Sequence, residues 1–259
     1  MTARKRSSVI RNGVAGKIIH STCDHLGNLL VIDYRDYRVL TFDSDYTQSG
    51  YSLAKPYAVT HEYIRIMMLV LGLTTPRHVT LLGLGGGSLL RSMHHHLNVC
   101  DFNVVELRAK VIEIAQIYFD LPEGDRVKYT CADANQHLDQ APSKSSDIIF
   151  SDLFDAYFMS PVQVKPVFVE QCYRVLGDRG WLVINFHHLP LSRSAFFTAL
   201  TAHFQKIFVF SGAADNHIVF AKKSADIDWL GAEQKINNME LELGTAFMSL
   251  FEQLKLSQS

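Results

Sequence analysis

The chain has 259 residues, of which 47% are hydrophobic and 20% are charged. This length allows one or two domains, and the composition is that of a folded protein rather than a disordered or fibrous one. Lys and Arg (25) nearly balance Asp and Glu (26), which leaves a formal charge of −1 and argues against a nucleic acid partner.

Cysteine spacing and the length of apolar stretches predict the cellular compartment of the protein. Four cysteines stand far apart at positions 23, 100, 131 and 172, which favours reduced thiols over a disulfide framework. No apolar segment of a secretory signal follows the basic N-terminus. The longest apolar stretch, residues 66–73, is much shorter than the ~18 residues of a membrane span. We therefore expect a cytoplasmic protein that has no membrane partner.

The first part of the chain, residues 14–53, contains short β-rich runs such as NLLVIDY and YRVLTF, which predict antiparallel hairpins. A unit of about 40 residues is marginally stable alone. It should therefore pack on the next domain or on a second copy of itself, and we expect a homodimer. Apolar residues at helical spacing then predict a helix from Tyr57 to Leu73.

From His78 onward, apolar strands alternate with amphipathic helices. This alternation predicts an α/β domain with a doubly wound, mostly parallel seven-stranded sheet covered on both faces. KIFVF and HIVFAKK predict a terminal antiparallel hairpin, and residues 236–254 predict a last amphipathic helix. We therefore divide the chain into an N-terminal β-strand domain (1–55), a Rossmann-like nucleoside-binding domain (56–225) and a C-terminal helix (226–259).

Ligands of open α/β sheets bind beyond the carboxyl ends of the strands, so the polar residues at these ends are candidates for the site. A glycine loop, Gly83 to Gly87, follows the first strand. Acidic residues follow the next three strands: Glu106, then Asp133, then Asp152 with Asp155.

The glycine loop and Glu106 together predict a nucleoside site. Gly83, Gly85 and Gly87 fit G-x-G-x-G, whereas Ser88 takes the third glycine position of G-x-G-x-x-G. Such a loop lets the backbone and a helix N-terminus approach a ligand. Glu106 follows at the distance of one helix and one strand, where its carboxylate can accept both ribose hydroxyls.

Several motifs resemble the spermidine synthase (polyamine aminopropyltransferase) family in their order and spacing. They are LLGLGGGSLLRS, VVELRAKVIEIAQIYF, DRVKYTCADANQHL, SDIIFSDLFD and FVEQCYRVLGDRGWLVINF. The resemblance covers roughly residues 48–185. It implies the class I S-adenosylmethionine-dependent methyltransferase fold, with transfer of an aminopropyl group from decarboxylated S-adenosylmethionine to a diamine such as putrescine.

The resemblance also implies a role for each candidate residue. The loop, including Gly86, would hold the amino-acid-derived arm of the donor, Glu106 the ribose and Asp133 the adenine amino group. Asp152 would be the base and Asp155 the substrate anchor, with Gln48 and Tyr63 as further substrate-binding residues. A diamine of pKa ~10 is protonated at neutral pH, so its transfer requires such a carboxylate to attract it and accept its proton. Eleven acidic and five basic residues between Asp101 and Asp155, a net of −6, suit a cationic acceptor.

Three positions depart from the family pattern and keep two alternatives open. Gly86 and Arg108 stand where the family has Asp, and Ala156 stands where it has Pro. The missing charge at Gly86 favours a methyltransferase that uses ordinary S-adenosylmethionine. Arg108 and the altered sequence after Tyr63 favour a nucleoside-binding homologue without catalysis.

A metal site is not expected. His94, His95 and His96 are consecutive, and consecutive residues of a helix point about 100° apart. The cysteines also lack the spacing of metal ligands.

Overall fold

The computed structural model describes residues 8–11, 14–42, 49–154, 159–213 and 216–256. It contains two sheets. The first is antiparallel, in the order β1-β2-β3-β4-β5. Its strands are β1 (Ser8–Arg11), β2 (Val14–Asp24), β3 (Gly27–Tyr34), β4 (Tyr37–Phe42) and β5 (Ser49–Ser52).

The second sheet has seven strands in the order β11-β12-β10-β9-β6-β7-β8. All pairs up to β10 are parallel, and β12 pairs antiparallel with both β10 and β11. The predicted doubly wound sheet with a terminal antiparallel hairpin is therefore confirmed. The strands are β6 (His78–Leu82), β7 (Asp101–Glu106), β8 (Val127–Cys131), β9 (Ser146–Ser151), β10 (Leu176–Phe186), β11 (Lys206–Ser211) and β12 (His217–Lys222).

Helices cover both faces of this sheet, and each face has its own apolar core. The helices on the first face are α1 (Glu62–Met68), α2 (Val70–Leu73), α3 (Ser88–His96), α8 (Trp229–Leu243) and α9 (Met248–Leu256). Those on the second are α5 (Ala134–Gln140), α6 (Pro166–Val175) and α7 (Ala195–His203), with a 3-10 turn at Pro161–Val164. In the described part of the chain, no helix is long and apolar enough to cross a bilayer.

The C-terminal segment differs from the prediction of one helix. It forms two helices, because Gly244 ends α8 in the left-handed conformation, with φ of 58°. Glycine adopts this conformation without a steric penalty and commonly ends helices. The Glu240 carboxylate then accepts the N–H groups of Phe247 (2.6 Å) and Met248 (2.8 Å). These bonds fix the start of the second helix against the first.

The N-terminal sheet packs against α4 (Ala109–Tyr118), a helix of the α/β part of the chain. Val111 and Ile114 of this helix join a core with Leu29, Val31 and Leu40 of the sheet. This packing is one of the two arrangements that the marginal size of the sheet predicted.

A largely buried ion pair also joins the N-terminal sheet to the α/β part of the chain. Arg108, which is 7% exposed, donates from Nε (2.9 Å) and Nη2 (2.8 Å) to the Asp24 carboxylate in the β2–β3 turn. Nη2 also donates to the Gly27 carbonyl (2.9 Å), and the guanidinium lies over the Phe42 ring. The bonds from Arg108 hold the pKa of Asp24 below its usual value.

Asp24→Asn should therefore destabilise the protein at neutral pH. We expect a loss of about 2 kcal/mol in the free energy of unfolding, because a buried guanidinium loses its counter-charge. The contribution of Asp24 is fully present above its unfolded pKa of ~4 and disappears as the pH falls through its lower folded pKa. The difference between wild type and variant in urea denaturation should thus shrink from pH 7 to about pH 3.

Asp178→Asn is the matched control. Asp178 pairs with Lys144, and both side chains are more than half exposed, so its loss should leave the free energy of unfolding nearly unchanged. Equal losses for the two variants, or a pH-independent loss for Asp24→Asn, would contradict the role of this ion pair.

Candidate active site

A cavity of about 470 Å³ lies at the carboxyl ends of the parallel strands. The strand ends meet there because Leu82 of β6 is in register with Val105 of β7 and Ser151 of β9, and Glu106 is in register with Cys131 of β8. The cavity is lined by six of the residues selected from the sequence: Tyr63, Gly83, Gly85, Glu106, Asp133 and Asp152. Gln48 and Asp155 lie outside the described residues, so their substrate-binding roles stay predictions.

Gly83 brings the glycine loop against the end of β9. Its φ is 93°, and a Cβ atom there would lie 2.3 Å from the Asp152 carbonyl oxygen. Its N–H donates to the Val105 carbonyl (2.8 Å). Only glycine allows this approach, which places the loop beside the strand end that carries Asp152.

Gly86 and Gly87 are buried behind the part of the loop that lines the cavity. The Gly86 N–H donates to Ser49 Oγ of β5 (2.7 Å), and a Cβ atom at position 86 would lie 2.7 Å from Ser49 Cβ. Gly87 has a φ of 71°, and a Cβ there would lie 2.0 Å from Leu121. Arg91 donates to the Gly86 carbonyl (3.3 Å). These two glycines therefore join the loop to the N-terminal sheet and to neighbouring segments.

Glu106 lies in the cavity wall and is 9% exposed. Its Oε2 accepts the Leu84 N–H (3.0 Å), and its Oε1 accepts the Arg108 N–H (2.9 Å). Burial raises its pKa, although these backbone bonds oppose the rise. A carboxylate has about four lone-pair positions. The N–H groups of Leu84, Arg108 and Gly85 all bond to this one, so it keeps capacity for a hydroxyl group of a ligand.

Asp133 caps helix α5 at the same edge. Its Oδ1 accepts the N–H groups of Asn135 (2.9 Å) and Gln136 (3.1 Å). Both bonds use one oxygen, so the second can accept a hydrogen bond from a ligand. The cap explains why the side chain keeps a fixed direction toward the cavity.

Asp152 is held between two donors. Tyr63 Oη donates to its Oδ2 (3.2 Å), and Asn185 Nδ2 donates to its Oδ1 (2.8 Å). Burial raises the pKa of Asp152 and raises that of Tyr63 well above its usual value. Tyr63 therefore remains a neutral donor, and the carboxylate has a fixed orientation.

A buried polar network fixes Asn185, which was not among the residues selected from the sequence. Asn216 Nδ2 donates to Asn185 Oδ1 (2.9 Å), so Asn185 Nδ2 must face Asp152. Gln163 Nε2 donates to the Asn185 carbonyl (2.9 Å), and Gln163 Oε1 accepts from the Ser151 hydroxyl (2.8 Å). Asn185 is a polar residue near the end of the apolar strand β10, which is the pattern that identified the acidic residues.

The consecutive histidines have three different partners. His94 Nε2 accepts from Arg126 (2.8 Å), the His95 ring stacks on Tyr57 with centroids 3.8 Å apart, and His96 Nδ1 contacts Glu242 (2.6 Å). Their side chains thus diverge from one another. Among the described residues, no cluster of three or more His, Cys, Asp or Glu is placed to hold a metal ion.

Asn185→Leu should raise the pKa of Asp152 further. The substitution removes a donor that favours the charged carboxylate and replaces it with an apolar group of similar size. The pKa can be followed by NMR titration of 13C-labelled aspartate carboxyls.

Asn103→Leu is the control for this titration. Asn103 is a half-buried amide of β7 that contacts His137, and its replacement should leave the Asp152 pKa unchanged. An Asp152 pKa that stays constant or falls in Asn185→Leu would rule out the Asn185 amide as its stabilising donor.

Comparison with known proteins places the chain in a family. The sequence model described as "Spermine/spermidine synthase domain" matches residues 58–213, more than half of the chain. Polyamine aminopropyltransferase of Neisseria meningitidis serogroup B is 32% identical over 152 residues, which are 58% of this chain and 57% of that protein. The chain thus spans little more than half the length of this relative.

Two further matches extend over most of the chain. Polyamine aminopropyltransferase of Chromobacterium violaceum is 26% identical over 224 residues, covering 84% of this chain and 85% of that protein. A spermidine synthase structure in complex with the transition state analogue AdoDATO aligns with a TM-score of 0.71 at 18% identity, over 96% of this chain and 90% of that one. The fold and the extent of the family match lead to one conclusion: the chain belongs to the spermine/spermidine synthase family.

Proposed function

We propose that this protein transfers an aminopropyl group from decarboxylated S-adenosylmethionine to a diamine such as putrescine. The observation that carries the proposal is the Asp152 carboxylate, held by Tyr63 and Asn185 in the wall of the cavity that also contains Glu106 and Asp133. One cavity thus offers acids for a nucleoside at one side and an acid for an amine at the other.

Glu106, Asp133 and the glycine loop are assigned to the donor nucleoside. Glu106 would bind the ribose through its remaining lone-pair capacity, and Asp133 would accept a hydrogen bond from the adenine amino group. Gly83 and Gly85 line the cavity, and their loop contacts Glu106 through the Leu84 N–H and the Asp152 carbonyl at Gly83. The loop would therefore lie along the amino-acid-derived arm of the donor.

Asp152 is the proposed catalytic base. The diamine arrives protonated, because its pKa is ~10, and the carboxylate attracts the cation and accepts its proton. The freed nitrogen lone pair then attacks the carbon next to the sulfonium. The C–N bond forms as the C–S bond breaks, and methylthioadenosine leaves as a neutral thioether. Positioning of the two substrates is the main source of acceleration. Tyr63, Gln48 and Asp155 would hold the diamine.

The proposal also covers the oligomeric state, the compartment and the substrate class of the enzyme. We propose that it acts as a homodimer in the cytoplasm on small amines rather than nucleic acids, without a metal ion. We also propose the division into residues 1–55, 56–225 and 226–259 as structural units.

Methyl transfer from S-adenosylmethionine is the second candidate. The specific observation in its favour is Gly86, because a Cβ atom at position 86 would lie only 2.7 Å from Ser49 Cβ. The charge that the family resemblance leads one to expect there is therefore absent, and its place is already filled. Mass spectrometry of the products distinguishes the two reactions, since an added aminopropyl group and an added methyl group differ in mass.

Asp152→Asn should abolish most of the turnover with decarboxylated S-adenosylmethionine and putrescine. Loss of a general base costs about 10²–10⁴-fold in kcat, whereas the affinity for methylthioadenosine should not change. In the wild type, activity should fall as the pH falls through the raised pKa of Asp152, because the protonated acid cannot act as a base. The variant should lack this limb of the pH profile.

Asp101→Asn is the matched control, because Asp101 is an exposed carboxylate at the opposite end of β7. It should retain wild-type turnover. An active Asp152→Asn enzyme, or a wild type that forms no aminopropylated product with any of several diamines, would refute the proposed reaction.

A further inference from the structure

An apolar side chain at the tip of a hairpin has no role in the mechanism above. Leu26 stands with His25 in the two-residue turn between Asp24 and Gly27, which are cross-strand partners of β2 and β3. Turns of this length are usually built from polar residues and glycine. Leu26 is instead a leucine that is 44% exposed, and it lines the cavity at the carboxyl ends of the parallel strands. This placement indicates an apolar contact with the ligand of the cavity.

Hydrogen bonds on both sides of Leu26 fix the main chain of this turn. The Leu26 N–H donates to Asp24 Oδ1 (2.8 Å). Arg108 donates from Nη2 to the same Asp24 oxygen (2.8 Å) and to the Gly27 carbonyl (2.9 Å). The ion pair of Asp24 and Arg108 is largely buried, so water competes little with these bonds. Leu26 is therefore an exposed side chain on a fixed main chain.

The same arginine connects the turn to the acid assigned to the ribose. The Arg108 N–H donates to Glu106 Oε1 (2.9 Å), and the Arg108 guanidinium lies over the Phe42 ring, 4.8 Å from its centroid. Glu106, Arg108 and Phe42 all line the cavity together with Leu26. The contacts of the turn therefore lead to the part of the cavity that the proposed function assigns to the nucleoside.

We propose that Leu26 is a nucleoside-binding residue and that Asp24 and Arg108 are its positioning residues. Leu26 contacts an apolar face of the bound adenosine moiety and loses exposed surface to it. Arg108 stands where the family resemblance leads one to expect an acid, and its ion pair with Asp24 holds the β2–β3 turn at the cavity. The N-terminal sheet thus supplies a ligand contact of its own. This role of Leu26 rests on the proposed role of the cavity as a nucleoside site.

Calorimetry with methylthioadenosine and decarboxylated S-adenosylmethionine tests the role of Leu26 on the full-length protein. Leu26→Ala removes most of the apolar contact, so it should weaken the binding of each nucleoside by about fivefold. The two losses should be equal, because the two ligands share the adenosine moiety. The KM for the diamine should stay unchanged. Leu26→Met keeps the apolar volume and should keep both affinities.

Leu53→Ala is the matched control, because Leu53 is a leucine of similar exposure (41%) that follows β5 and lies outside the described cavity wall. It should leave both affinities unchanged. Both leucines are exposed, so each free variant should keep the Tm of the wild type. Only Leu26→Ala should reduce the rise in Tm that methylthioadenosine causes. A loss of affinity without a loss of stability excludes an effect through the fold.

A double-mutant cycle tests the positioning role of Asp24. Asp24→Asn should weaken methylthioadenosine binding in the wild-type background by releasing the turn, and by no more than Leu26→Ala does. In the Leu26→Ala background the same substitution should have no further effect on the affinity. A purely structural role of the ion pair would weaken binding equally in both backgrounds, and that result would overturn the assignment of Asp24 and Arg108 as positioning residues.

Other outcomes separate the role of Leu26 from the proposed function. If Leu26→Ala binds methylthioadenosine as tightly as wild type, or raises only the KM for the diamine, Leu26 is not a nucleoside-binding residue and the nucleoside site stands. If Leu26→Ala loses affinity but the wild type forms no aminopropylated product, the proposed function fails and the role of Leu26 stands. If wild type binds neither nucleoside, both fail.

Discussion

The site depends on the close approach of two strand ends at Gly83. A Cβ atom there would lie 2.3 Å from the Asp152 carbonyl oxygen, so any other residue would force β6 and β9 apart at their carboxyl ends. That separation would move the glycine loop away from Asp152. It would also break the register that places Glu106 beside the loop and Asp152. The carboxyl ends of the strands lie at one edge because the sheet is parallel. The absence of a side chain at Gly83 then allows these ends to approach closely enough to form the site.

The N-terminal sheet completes this site at the positions where the sequence departs from its family. Arg108 stands in place of an expected acid, and it binds Asp24 of the β2–β3 turn, while its own N–H bonds Glu106. Gly86 stands in place of another, and its N–H bonds Ser49 of β5. Both departures therefore connect the small sheet to the ligand-binding loops. A sheet of marginal independent stability is stabilised in this way, and it closes one wall of the cavity through Leu26 and Phe42.

The fold was predictable because backbone hydrogen bonding and burial determine the helices and strands, and the spacing of apolar residues in the sequence reflects both. The apolar β-branched runs gave the order of strands and helices, and the polar residues at their ends gave Glu106, Asp133 and Asp152. The missed features depend on contacts between distant segments. Asn185 acquires its role from Asn216, 31 residues away. The helix break at Gly244 carried a local signal, because glycine is a common helix terminator.

Burial gives Asp152 the properties that the proposed proton acceptor requires. Removal from water raises the pKa of its carboxyl group, and that of Glu106, so the ionised forms are costly until a cation lies nearby. A protonated amine offsets this cost, and its binding is therefore linked to ionisation of the acid. Once the amine has given up its proton, the same desolvation favours the neutral acid. In the proposed reaction, the environment that resists the charge before the amine binds would thus assist proton transfer afterwards. The hydrogen bonds from Tyr63 and Asn185 would keep the carboxylate in position.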